Sequence, residues 1–294
     1  MLSDDQLAAF MADGFLTIDG VFDRAEVDAM RESTNHERIQ QDLRDRRADQ
    51  RVVHLIELAT KLEVFRDLAR EPRLTKRVAR IIGDDIQLQH SKLATKPKRA
   101  GAGEFEWHQD FAYYPHSNYD LLSVAIMLDD ATPENGGMYA VRGSHKRGLL
   151  DHSRDGWMVG GCVEPHHWRD NPELVVPLMA KAGGITIHHC LLLHGSPVNL
   201  SGDPRRMIVY AYRAGHAHQL ADHTWEDTGY QVHGRASGRY KSVGIDMSLP
   251  RNKGWQRYCG EAHGSVYRQI GPTARAWNEA ATAASRHDSS LVSP

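Results

Sequence analysis

The chain has 294 residues, 40% of them hydrophobic and 25% charged, with a formal net charge of −2, an ordinary globular composition long enough for one large domain or two small ones. So small a charge excludes a global field that would draw nucleic acid or an anionic membrane, and the longest apolar runs fall far short of a membrane span. Three widely spaced cysteines, Cys162, Cys190 and Cys259, form no CxxC pair and point to a reducing, cytoplasmic compartment instead of a disulfide framework.

The N-terminus, "MLSDDQLAAF", is acidic and does not read as a signal peptide. Ser3 with Gln6, and Asp23 with Glu26, spell two capping boxes, each ahead of an apolar face, and Gly14 is placed to stop the first helix. Residues 35–51 are highly charged and predict a solvated helix or loop. Residues 56–82 predict two further helices, with Pro72 near the start of the second. From residue 86 the period changes to two: "IQLQHSKLATK" alternates as a half-buried strand should. Further strands are predicted at 105–111, 121–128, 137–142, 174–179, 184–190 and 206–213, separated by turn signals such as "PENGG" and "LSGDP". The polar stretch 143–172 predicts a lid or binding loop, and the Ala- and Ser-rich C-terminus a short helix and a frayed tail. No internal repeat is visible. Helices followed by short strands predict an α+β fold with a mostly β core, a sandwich or small barrel flanked by helices. The expected organisation is one domain over 1–285, with a helical part at 1–84, a β core at 85–215 and a cover at 216–285. A flexible tail at 286–294 follows.

Histidine is the compositional outlier, with eighteen copies. In "FEWHQDFAYYPH", His108 and Asp110 stand two residues apart, which on a strand aims both side chains at one face. A third ligand is needed, and the best placed is His194 in "HHCLLLHGSPVNLSGDPRR", after an apolar strand and before Gly195 and Ser196. Two His and one carboxylate on one face of an octahedron leave open positions, the arrangement of non-haem Fe(II) oxygenases. Arg205, at the start of the next strand, offers a planar fork for the distal carboxylate of a chelating 2-oxo acid, and Ser196 a hydroxyl. Pairing His194 with His188 or His189 is an alternative, but it lacks a carboxylate at useful spacing.

The blocks "WHQD" at 107–110, "ENGGMYAVRGSHKRG" at 134–148 and "LLLHGSPVNLSGDPRR" at 191–206 resemble the phytanoyl-CoA dioxygenase family of Fe(II)/2-oxoglutarate oxygenases, in order and spacing over about residues 5–215. The resemblance implies a double-stranded β-helix, the jelly-roll or cupin-like barrel. It implies Fe(II) held by His108, Asp110 and His194, and 2-oxoglutarate held by Arg205 and Ser196, with Lys96 of "TKP" beside them. It also implies O2-dependent hydroxylation, or another oxidation, of a C–H bond in a small-molecule substrate, with release of succinate and CO2. The intact Asp110 sets the chain apart from halogenases of the superfamily, which lack that carboxylate. A non-catalytic or regulatory metal protein on the same scaffold is the competing reading. The expected partners are a small molecule and at most a second copy of the chain, as monomer or homodimer, with neither nucleic acid nor membrane. Tyr113, Phe111, His189 and Trp157 are the candidate substrate wall, while Gln109 is expected to point away from the site.

Overall fold

The computed structural model describes residues 1–46, 53–98, 103–163, 168, 171–220, 225–236 and 238–244. The expected C-terminal helix, the tail at 286–294 and the cover beyond residue 244 lie outside the described residues.

Both predicted capping boxes form. Helix α1 (Asp4–Asp13) has Ser3 and Gln6 bonded reciprocally, and α2 (Arg24–Thr34) has Asp23 and Glu26 in the same roles. Gly14 ends α1 in the left-handed region at φ 87°, where a Cβ is disfavoured. The charged stretch contains α3 (Glu37–Arg46). Three helices occupy the span expected to hold two: α4 (Leu58–Lys61), α5 (Glu63–Ala69) and α6 (Pro72–Ile82), with Pro72 in the first turn of the last.

The strands are β1 (Phe15–Ile18), β2 (Val53–Ile56), β3 (Ile86–Lys96), β4 (Phe105–His108), β5 (Leu121–Met127), β6 (Met138–Val141), β7 (Ser153–Arg154), β8 (Trp157–Met158), β9 (Val175–Leu178), β10 (Ile185–His189), β11 (His194–Ser196), β12 (Arg205–Ala214) and β13 (Gln231–His233). Strands β1 and β2 run through the third of the chain expected to be helical; four residues each are too short to show a period. The larger sheet runs β1-β10-β5-β12-β3-β13, with β2 also on β3, and the smaller runs β4-β11-β6-β9. All described pairings are antiparallel. The two sheets form the jelly-roll.

Alternation on β12 explains how the site is built. Ile208, Tyr210 and Tyr212 face the helices, where Tyr210 Oη donates to Phe65 O at 2.7 Å and Tyr212 Oη to Ala69 O at 2.9 Å. Arg205, Met207 and Val209 face the opposite way, into the barrel. Because helices cover its outer face, the larger sheet is buried on both sides, and β5 is buried at all seven positions.

Candidate active site

Between the sheets lies a cavity of about 440 Å³, its open mouth included, and His108, Asp110 and His194 project into it. One ligand atom from each lies within 4.8 Å of the others, and all three residues are buried. The two histidines come from paired strands: His194 of β11 stands opposite His108 of β4, with ring centroids 4.3 Å apart. Asp110 arrives differently. Strand β4 stops at His108, and Asp110 opens a 3-10 turn over Asp110–Ala112. The strand expected over 105–111 is therefore shorter, and a turn, not an i, i+2 strand face, returns the carboxylate to the imidazoles.

The surroundings orient each ligand. His108 Nδ1 lies 2.8 Å from Glu106 O and His194 Nδ1 lies 2.9 Å from Leu192 O. Each carbonyl accepts a hydrogen bond from Nδ1–H, which keeps the ring proton on Nδ1 and leaves both Nε2 lone pairs for a metal. Burial pulls His108 well below the usual histidine range and His194 down to about 4, so both are neutral at pH 7. Asp110 Oδ2 accepts from Ser123 Oγ at 2.8 Å and faces His188 Nε2 at 3.3 Å. Its Oδ1 points toward His108 Nε2 and His194 Nε2, at 3.7 and 3.9 Å. Burial opposes ionisation of Asp110, but the His188 hydrogen bond and the charge of neighbours including Lys92 prevail and hold it well below the carboxylate range. Two neutral imidazoles and one anionic oxygen, each braced from behind, fit a divalent first-row metal.

At the other end, Arg205 of β12 pairs with Lys96 of β3. Lys96 Nζ donates to Ser196 Oγ at 2.5 Å and to Pro197 O. Arg205 Nη2 donates to Gly136 O at 3.2 Å, while its Nε and Nη1 are buried with no hydrogen-bond partner. Burial lowers this guanidinium only to about 10, so it is charged at pH 7. A buried cation with two unfilled donors is costly unless an acceptor arrives, and a ligand carboxylate supplies one. Gly136 is required here. At φ 77°, a Cβ would lie 2.7 Å from Pro197 O and 2.9 Å from Lys96 Nζ.

The sequence pattern of the phytanoyl-CoA dioxygenase (PhyH) family matches residues 10–207. The chain belongs to this family. Among its curated relatives, the probable alpha-ketoglutarate-dependent hypophosphite dioxygenase of Stutzerimonas stutzeri is 31% identical over 62% of this chain and 65% of its own length, just under two thirds. Ectoine dioxygenase of Bordetella bronchiseptica is 26% identical over 72% of this chain and 76% of its own. The structure of EctD from S. alaskensis with bound Fe superposes with a TM-score of 0.58 at 25% identity, covering 73% of this chain and 77% of the other. The double-stranded β-helix and the His–Asp–His set are thus those of 2-oxoglutarate-dependent dioxygenases of the phytanoyl-CoA dioxygenase type.

In this family member, the six residues named for metal and co-substrate fall in one region: His108, Asp110, His194, Ser196 and Arg205 line the cavity, and Lys96 is bonded to Ser196 behind it. The four substrate candidates separate. Tyr113 sits beside the cluster, its ring edge-on to His108 at 5.9 Å and its Oη donating to Gly160 O at 2.8 Å. Phe111 is fully buried in an apolar cluster with Tyr114 and Leu191, against Tyr119. His189 faces away from the cavity, toward Phe10 and His145, because its neighbour His188 takes the inward position. Trp157 pairs with Arg154 in the β7–β8 hairpin and does not line the cavity.

Gln109 points away from the metal cluster, as expected, yet it is fully buried and holds the site together. Its Nε2 donates to Gly148 O and Leu191 O, its Oε1 accepts from Leu150 N, and its backbone N–H reaches His152 Nε2. It ties the loop after β6 to the turn that carries His194. Sequence reasoning also passed over His54, Lys92 and Ser123, which meet the ligands or the cavity. For Lys92 a signal existed: by alternation Lys92, Ala94 and Lys96 share one face of the strand.

Proposed function

We propose that the protein is an Fe(II)/2-oxoglutarate-dependent dioxygenase that oxidises a C–H bond of a small polar molecule. One observation carries this reading. A buried His108–Asp110–His194 set and the partly unfilled Arg205 guanidinium face one cavity. Bound Fe(II) would supply O2 activation coupled to conversion of 2-oxoglutarate to succinate and CO2. His108, Asp110 and His194 would hold the metal, and Arg205, with Ser196, would clamp the far carboxylate of 2-oxoglutarate. Lys96 positions Ser196 through its hydrogen bond, while burial and the neighbouring Arg205 charge hold its amine well below the usual lysine range. Met207 and Val209, inward on β12 after Arg205, give the co-substrate methylenes an apolar floor and keep water off it. Tyr113 is placed to touch substrate beside the metal. Relatives named for hypophosphite, ectoine and L-proline support a small, polar substrate. We place the protein in the cytoplasm as a monomer or homodimer. Two buried free cysteines, Cys162 and Cys190, support a reducing environment, and no described helix is long and apolar enough to cross a membrane.

The test is anaerobic titration of the purified protein with Fe(II) and 2-oxoglutarate. A weak visible charge-transfer band is expected, with slow succinate release once O2 is admitted. Absence of that band in folded protein sinks the reading, whereas a band without succinate release on any substrate favours a binding or regulatory role.

A further inference from the structure

The cavity is lined by a second basic side chain besides Arg205, that of Lys92. Lys92 lies on β3, four residues before Lys96 and so roughly 13 Å along the strand from it. Both side chains face the barrel interior, and Lys92 lines the cavity. Among the described residues its ammonium makes no hydrogen bond or ion pair. Its charge acts on Asp110, His108, His194, His54 and Arg205, which places it centrally. His54 lies diagonally across on β2, where Ile56 is the register partner of Lys92 and His54 that of Ala94. The His54 ring stacks on Phe105 with centroids 4.9 Å apart.

The arrangement separates Lys92 from the 2-oxoglutarate end. Arg205, Lys96 and Ser196 form one polar group, and Met207 and Val209 on β12 lead from it into the barrel. Lys92 and His54 stand to one side of that line, on the neighbouring strands β3 and β2. Asp110 is the one carboxylate among the lining residues, and its free oxygen faces the metal position. A dicarboxylate balances a divalent metal, and the charge that acts on Arg205 is that of Asp129, outside the cavity lining. Asp110 acts on Lys92 only from beyond ion-pair distance, its oxygens being turned to Ser123, His188 and the two imidazoles, so among the described residues the three donors of Lys92 meet no acceptor, an arrangement that selects an anionic guest.

We propose that Lys92, flanked by His54, binds an oxyanion group of the substrate, a carboxylate or a phosphonate, and so restricts this enzyme to small organic anions. The proposal rests on the dioxygenase reading above. Lys92 would hold the substrate's charged end, which leaves its C–H end free to approach the metal beside Tyr113.

The experiment uses the full chain, anaerobic, loaded with Fe(II) and 2-oxoglutarate and monitored by the visible band and by calorimetry. Propionate, methylphosphonate and the neutral isostere propionamide are titrated in turn. At least one oxyanion should saturate while propionamide does not. Lys92→Met should weaken that binding by at least about ten-fold, and Lys92→Arg should restore most of it, with the 2-oxoglutarate band retained in both variants. The proposal is overturned if neither oxyanion saturates the wild type, if propionamide binds as well as the anions, or if Lys92→Met binds them unchanged. A Lys92→Met variant that folds but loses affinity for 2-oxoglutarate also overturns it, because Lys92 then belongs to the co-substrate. Failure of the dioxygenase reading is separate: the band would be missing in the wild type before any probe is added.

Discussion

At the scale of single residues, the site is a set of buried polar groups, each leaving one direction unfilled. Asp110 has Oδ2 engaged by Ser123 and His188 and Oδ1 aimed at the imidazoles. Asp110→Ala removes the ligand and should lower Fe(II) affinity at least about a hundred-fold. Ser123→Ala only loosens the carboxylate and should cost about ten-fold, within the range for groups that orient metal ligands. Anaerobic Fe(II) titration of both variants checks the order; equal losses would contradict the assignment of Ser123 as a brace. Arg205→Met keeps the bulk and removes the charge. It should raise the 2-oxoglutarate dissociation constant by about a hundred-fold, the weight of a buried bidentate pair, with Fe(II) binding little changed. Calorimetry on the metal-loaded variant measures this.

At the scale of elements, short strands depend on their connections. β4 and β11 have four and three residues, too few to hold His108 and His194 in register alone. The hydrogen bonds of Gln109 to Gly148, Leu150 and Leu191 supply that rigidity. Gln109→Leu leaves two buried backbone groups, Leu150 N and Leu191 O, and the half-buried Gly148 O without this partner, each buried one worth about 1–3 kcal/mol. It should lower Tm by several degrees and weaken metal binding though it touches no metal; thermal unfolding and Fe(II) titration read the two effects. Gly136→Ala should act on the co-substrate end alone, raising the KM for 2-oxoglutarate, since its Cβ would press on Lys96 and Pro197. Much of this scale is legible in the chain. Alternation marks β3 over Ile86–Lys96, the span predicted, and both capping boxes appear as spelled. β1, β2 and the turn at Asp110 are not legible, because four residues carry no period and the turn is set by what packs around Gln109.

For the molecule as a whole, buried histidines couple stability to pH. Burial lowers His152 to about 4 and His116 to about 3. In the unfolded chain each takes a proton below about 6.5, so their contribution is complete above that value and is lost as pH falls toward the folded pKa. Asp227 works in the opposite sense. Burial raises it to about 6, so it favours the fold at low pH and loses that contribution as pH rises from about 4 to 6. Two histidines outweigh one carboxyl, at about 1.4 kcal/mol per pH unit for each group. The apoprotein's Tm should therefore fall by several degrees between pH 6.5 and 5; differential scanning calorimetry without metal checks it, and a flat or rising Tm would contradict it.

The sequence by itself determined the chemistry. An HxD pair, a later histidine and an arginine at the head of the following strand name the ligand types, and their order along the chain marks the family. It also determined where long periodic elements run, since a period needs length to show. Only the tertiary structure decided which of two adjacent histidines turns inward, that Phe111 and Trp157 stand away from the cavity while Tyr113 stands edge-on to His108, and that Gln109 is a clamp. It alone brings Lys92 and His54 to the cavity that His108, Asp110 and His194 line. The reason is physical: a strand's alternation offers two faces, but which face meets a cavity depends on what the opposite face buries. Here the helices cover Leu93, Tyr210 and Tyr212 on one side of the larger sheet, and so Lys92, Lys96 and Arg205 are left to the other.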